Sequence, residues 1–146
     1  MSPKPQRRRN NSIPPLKFFT TSLDCIDVEF LVMTAEDNAR IFYDAEIKTN
    51  QIRNFYGAAE KIKKKYFKNG KNKQAAFDVT PDLWLLLPQL AYTEGRNNSA
   101  WRFCKSMKNA VEKVLASAES SRHHALDNFF IYVESVVAYH KFYGDK

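Results

Sequence analysis

Asn50-Gln51-Ile52-Arg53-Asn54-Phe55-Tyr56-Gly57-Ala58-Ala59-Glu60-Lys61-Ile62-Lys63-Lys64-Lys65-Tyr66-Phe67-Lys68 is the stretch on which the reading of the fold turns. Ile52, Phe55, Ala59, Ile62 and Tyr66 recur at steps of three and four, so in an α-helix they form one apolar stripe. Thr49 or Asn50 can cap its start, and Asn69-Gly70 is a familiar helix stop. On the opposite flank Arg53, Lys61, Lys64 and Lys68 fall within roughly 80° of one another, at about 100° per residue.

Outward from this segment the same period continues. Upstream, Thr34-Ala35-Glu36-Asp37 has the form of a capping box and predicts a helix to about Ile47, while residues 18–33 read as helix or irregular chain. Downstream, Lys71 to Val79 reads as a loop and Thr80-Pro81-Asp82 as the opening of a third helix, which Pro88 kinks or breaks and Gly95 closes. A fourth helix starts at Asn98 or Ser99, with Trp101, Cys104, Met107, Val111, Val114 and Leu115 as its core stripe. Ser117 to Ser121 forms a turn, and a fifth helix runs to about Tyr143 with Leu126, Phe129, Val133, Val136, Val137 and His140 on one face. Neither an internal repeat nor a strand-like alternation is present. The expected fold is all-α, a single compact bundle of about five helices.

Length and composition agree with one domain: 146 residues, 44% hydrophobic, are enough to bury a core without disulfides. The net charge of +7 is unevenly spread. Residues 1–17 hold Lys4, Arg7, Arg8, Arg9 and Lys17 and no acid, so they contribute +5 and leave a nearly neutral body. With Pro3, Pro5, Pro14 and Pro15 among them, residues 1–17 read as a disordered basic arm and 18–146 as the helical domain. No apolar segment of signal-peptide length follows the basic start, and Leu83 to Leu87 is far too short to cross a bilayer, so the expected location is cytoplasmic.

Enzyme chemistry finds little support in the residues. Cys25 and Cys104 form no CxxC pair and read as small core hydrophobes; His123, His124 and His140 lack zinc-ligand spacing, so no metal or cofactor is expected. The glycines at 57, 70, 95 and 144 are too scattered for a phosphate-cradling loop, and Asp24/Asp27 and Glu36/Asp37 read as surface and capping acids. A small helical ribonuclease of the HEPN type needs an Arg a few residues before a His, and Arg122-His123-His124 has the wrong spacing. His140, on the apolar face, reads as a buried core histidine.

The basic flank allows two readings. Arg53, Lys61, Lys64 and Lys68 form either an ordinary solvated face or a row of cations facing the phosphates of an extended strand. Seven lysines between 61 and 73, against Glu60 alone N-terminal to them on the helix, lean toward binding.

Three segments together carry a family resemblance: Lys48-Thr49-Asn50-Gln51-Ile52-Arg53-Asn54-Phe55-Tyr56, Leu86-Leu87-Pro88-Gln89-Leu90-Ala91-Tyr92-Thr93-Glu94-Gly95-Arg96, and Val137-Ala138-Tyr139-His140-Lys141-Phe142-Tyr143-Gly144-Asp145-Lys146. In order and spacing the chain resembles the small subunit of type III-A CRISPR effector (Csm) complexes. The resemblance implies a non-catalytic subunit. Copies of it stack beside the backbone subunits and the large subunit that carry guide RNA, and they hold target RNA by its phosphates regardless of sequence. It assigns Lys48 and Arg53 to phosphate contacts, while Arg96 and Lys141 are candidates for RNA or a neighbouring subunit. The chain departs from the family at Asn50, where a serine is usual, and at Asn54 and Gln89, where lysine is, losing two charges. Two other classes stay open: a stand-alone helical adaptor that binds only protein, and a divergent small ribonuclease.

Overall fold

A computed structural model of the chain describes residues 5–144. Five α-helices account for most of them: α1 (Val28–Asp44), α2 (Thr49–Lys68), α3 (Lys73–Arg96), α4 (Trp101–Leu115) and α5 (Arg122–Gly144), with short 3₁₀ turns between and before them. No strand occurs among the described residues, and the fold is the all-α bundle that the sequence predicts.

Helix α5 is the hub and packs against each of the other four, most extensively along α1. That position explains its composition. Phe130 and Tyr132 are buried as well as Leu126, Phe129, Val133 and Val136, so the apolar surface wraps further round α5 than one face. Phe42 and Phe55 approach the ring of Phe103 edge-on, at 5.4 and 5.8 Å between centroids, and join α1, α2 and α4 through one aromatic cluster. Burial of Ile52, Phe55, Ala59, Ile62 and Tyr66 fixes which flank of α2 faces outward.

Several boundaries differ from the sequence expectation. Helix α1 starts six residues before Thr34, capped by Asp27, whose carboxylate accepts from Phe30 N at 2.8 Å. Thr34 is buried in mid-helix. Val28, Phe30 and Met33 are exposed while Leu31 is buried, so in this first part of α1 the apolar residues fall on more than one side and show no periodicity. Helix α3 likewise begins at Lys73, not Thr80, because the Asn72 side chain accepts from Ala75 N at 2.9 Å. Pro81 and Pro88 lie inside α3 without ending it. Both are exposed, and the carbonyls they leave without an amide partner belong to Phe77 and Trp84, also exposed, where water can satisfy them. The fourth helix is preceded by a 3₁₀ turn, Asn98–Ala100, and Trp101 is exposed instead of belonging to its core stripe.

The segment before α1 is organised by carboxamides. Asn38 accepts from Lys17 N and donates to Lys17 O, both at 2.9 Å. Asn109 does the same for Phe19, and Asn128 donates to the carbonyls of Leu23 and Ile26. Each side chain thus stands in for a neighbouring strand. In the stretch that the sequence assigns to a disordered arm, residues 1–4 with Lys4 lie outside the described residues. From Pro5 the chain runs beside the end of α1. Arg8 and Arg40 both bind the fully buried Asp44 carboxylate, at 2.9 and 3.2 Å, and Arg7 Nε donates to Tyr43 O.

Candidate nucleic-acid interface

The outward flank of α2 carries two kinds of lysine. Lys63 pairs with Glu134 and Lys65 with Asp82, so their charges are offset by acids on α5 and α3. Arg53, Lys61, Lys64 and Lys68 are exposed, and among the described residues none of them forms an ion pair. The stripe marked out by helical spacing is therefore also the set of α2 cations left without an acid.

The N-terminus of α2 adds to this field. Lys48 occupies the cap position, has no oxygen with which to accept a backbone amide, and the first turn contains no acidic residue. The partial positive charge of the helix end is therefore left unneutralised beside an exposed lysine.

Three adjoining concavities follow α2. One of about 350 Å³ is lined by Lys48, Arg53, Lys141 and also Arg7, with Glu46 as its acid. The next, of about 580 Å³, lies between α2 and α3 and takes Arg53, Lys61 and Lys65 on one side and Leu85, Gln89 and the acid Asp82, already paired with Lys65, on the other. The third, of about 410 Å³, reaches Arg96. Arg53 lines the first two, and Asn54 and Gln89 line the second and third, so the three form one continuous trough. It brings Lys48, Arg53, Lys61, Arg96 and Lys141 together, whereas Lys64 and Lys68 stand outside these three concavities on the exposed flank.

Arg7 is the residue that sequence reasoning missed. It reached the trough through the packing of residues 5–9 on α1, and its position in a proline-rich basic run gave no signal of that. Its guanidinium stacks 4.5 Å from the centre of the Tyr43 ring and meets Glu46 at 3.5 Å. Arg96 donates to Tyr92 Oη at 3.0 Å, which holds the guanidinium at the end of α3.

Other candidates resolve plainly. His140 is 7% exposed, a core position. Cys104 is buried, and desolvation, reinforced by Glu94, pushes its thiol up to about 11 despite the opposing Lys105. Cys25 is exposed, contrary to the expectation that both cysteines serve the core. Among the described residues no three His, Cys, Asp or Glu side chains come together as a metal-ligand set. No described helix is long and apolar enough to cross a membrane. Asp145 and Lys146, which end the third matched segment, lie outside the described residues.

A second surface lies on α3. Phe77, Trp84, Leu85 and Tyr92 are all at least half exposed and, with Pro81 and Pro88, make an apolar ridge along the outside of the helix. Basic trough and apolar ridge thus lie on neighbouring helices of a small all-α protein.

The family is shown by sequence. The model of the Csm2 Type III-A family matches residues 26–146, and the chain belongs to that family, the small subunit of type III-A CRISPR effector complexes. No curated protein and no solved structure matches the chain.

Proposed function

We propose that this subunit holds target RNA along the trough through the sugar–phosphate strand, without regard to sequence and without catalysing a reaction. Copies of the chain stack side by side in the cytoplasmic complex, next to the backbone and large subunits that carry guide RNA. The observation that carries this reading is the separation of charges on α2. Lysines facing other helices are matched by acids, while Arg53, Lys61, Lys64 and Lys68 are not, and Arg53 lines two adjoining concavities. A merely solvated face gives no reason for Arg53 and Lys61 to border a trough, with Lys64 and Lys68 extending the unmatched row along the exposed flank. Phosphates supply the missing counter-charge, and arginine adds a forked, directional contact. The exposed ridge of α3 supports the second half of the proposal, because an apolar stripe of that length is a surface for a neighbouring subunit.

The test is target capture by the assembled complex at physiological salt. Arg53→Ala should weaken capture about tenfold or more, the equivalent of one charge-assisted bond. Unchanged capture would refute the role of α2. The isolated chain should leave RNA intact with or without divalent metal; cleavage that co-purifies with it and vanishes on substitution of His124 or His140 would favour the ribonuclease reading.

A further inference from the structure

The concavity at the α3 end of the trough differs from the other two in chemistry. Four carboxamides line it: Gln51 and Asn54 from α2, Gln89 from α3, and Asn97 just beyond α3. No carboxylate does. Phe55 and Phe103 are buried at its base, and Tyr92, 66% exposed, stands at its rim. Gln51 Oε1 is buried and has no hydrogen-bond partner, a state that costs on the order of 1–3 kcal/mol unless something outside the chain satisfies it. Asn97 Oδ1 is bonded to Ser99 Oγ at 2.6 Å, so it is the amide nitrogen of Asn97 that is left to donate.

A solvated groove has no need of this arrangement. Carboxamides present a donor and an acceptor side by side, the pattern that pairs with N6 and N7 of adenine, while an exposed aromatic ring, here that of Tyr92, supplies a face on which an unpaired base rests. The volume of about 410 Å³ is in the range of small-molecule sites. Arg96, exposed at the rim and steadied by Tyr92, is placed for a phosphate, leaving the amides for the base.

We infer that this concavity is a base pocket for an adenine nucleotide, the phosphate meeting Arg96 and the base lying among Gln51, Asn54, Gln89 and Tyr92. Because it is continuous with the basic trough through Asn54 and Gln89, the nucleotide is offered by a strand lying in the trough or arrives as free AMP. The strand source rests on the backbone grip proposed above and adds to it a preference at a single base position; the pocket itself does not rest on it.

Two arms separate these. In the first, AMP, UMP and ribose 5-phosphate are titrated into the full chain and followed by NMR. AMP should shift the side-chain amides of Asn54 and Gln89, UMP should bind at least fivefold more weakly, and ribose 5-phosphate should leave those amides unmoved. Asn54→Ala and Tyr92→Ala should each weaken AMP at least fivefold, and Tyr92→Phe should restore the stacking share. In the second, an all-uridine strand is compared with the same strand carrying one central adenosine, which should bind at least fivefold more tightly. Both arms positive establish the pocket with the strand as source; AMP binding without adenosine preference establishes it for the free nucleotide. Equal response to all three small probes, or strand binding with neither AMP binding nor adenosine preference, overturns the pocket and leaves the backbone reading standing. AMP binding with no strand binding keeps the pocket and removes the strand function.

Discussion

His123 sits in the first turn of α5 with its ring 3.9 Å from that of His124, and its Nδ1 is buried without a partner. Desolvation, then the nearby charges of His124 and Lys73, lower its pKa from the ordinary 6.5, with Asp127 opposing. The folded protein therefore binds fewer protons here than the unfolded chain as pH falls through 6.5, so this group's contribution is full above that value and is lost below it. Thermal melting should decline from pH 7.5 toward 5.5, and His123→Gln should flatten that decline. A melting temperature independent of pH over this window would contradict the assignment. Such a group is invisible to sequence spacing, because its desolvation, the largest cause, comes from tertiary packing, with Lys73 of another helix adding to the effect. Arg53, in contrast, was legible: its position opposite Ile52 and Phe55 in the helical period already placed it on the outer flank.

Helix ends show why some elements could be read and others could not. Helix α2 closes in a Schellman arrangement, with Gly70 N donating to Phe67 O and Lys71 N to Tyr66 O. Gly70 has φ +100°, so the glycine itself announces the stop. Helix α1 closes in the same way, with Glu46 N to Tyr43 O and Ile47 N to Phe42 O, but Glu46 holds the left-handed position at φ 60°. No glycine marks that end, and the expected boundary ran on to Ile47. The two sites predict opposite responses. Gly70→Ala should destabilise by about 1 kcal/mol, whereas Glu46→Gly should stabilise by a few tenths to 1 kcal/mol, less whatever the Arg7 pair contributes. Chemical denaturation of both variants checks the signs; the same sign for both would show that left-handed backbone is not what matters there. Helix α3 was misread for a different reason. Prolines are helix breakers only where their neighbours cannot absorb the loss, and Pro81 and Pro88 both face outward.

For the molecule as a whole, helix count and class followed from the 3.6-residue period, because each helix buries a stripe. Packing of the segment ahead of α1 did not, since it depends on single carboxamides reaching across from distant helices. The same packing shapes an expectation for residues 1–16. Removing them takes Arg8 from the buried Asp44 carboxylate, leaving Arg40 alone, and should lower stability by about 2 kcal/mol. It should not abolish RNA binding, because Lys48, Arg53, Lys61 and Lys141 belong to the helical body. Loss of all binding on truncation, with the fold intact by circular dichroism, would move the interface to the arm.

The trough's role is tested most directly by the salt dependence of single-stranded RNA affinity, measured for the full chain and for Arg53→Ala with several unrelated sequences. If Arg53 meets a phosphate, affinity falls by a similar factor for each sequence. The slope of log affinity against log salt then shrinks by about 0.7. A slope unchanged by the substitution, or a loss confined to particular sequences, would contradict phosphate contact by α2 and with it the proposed function.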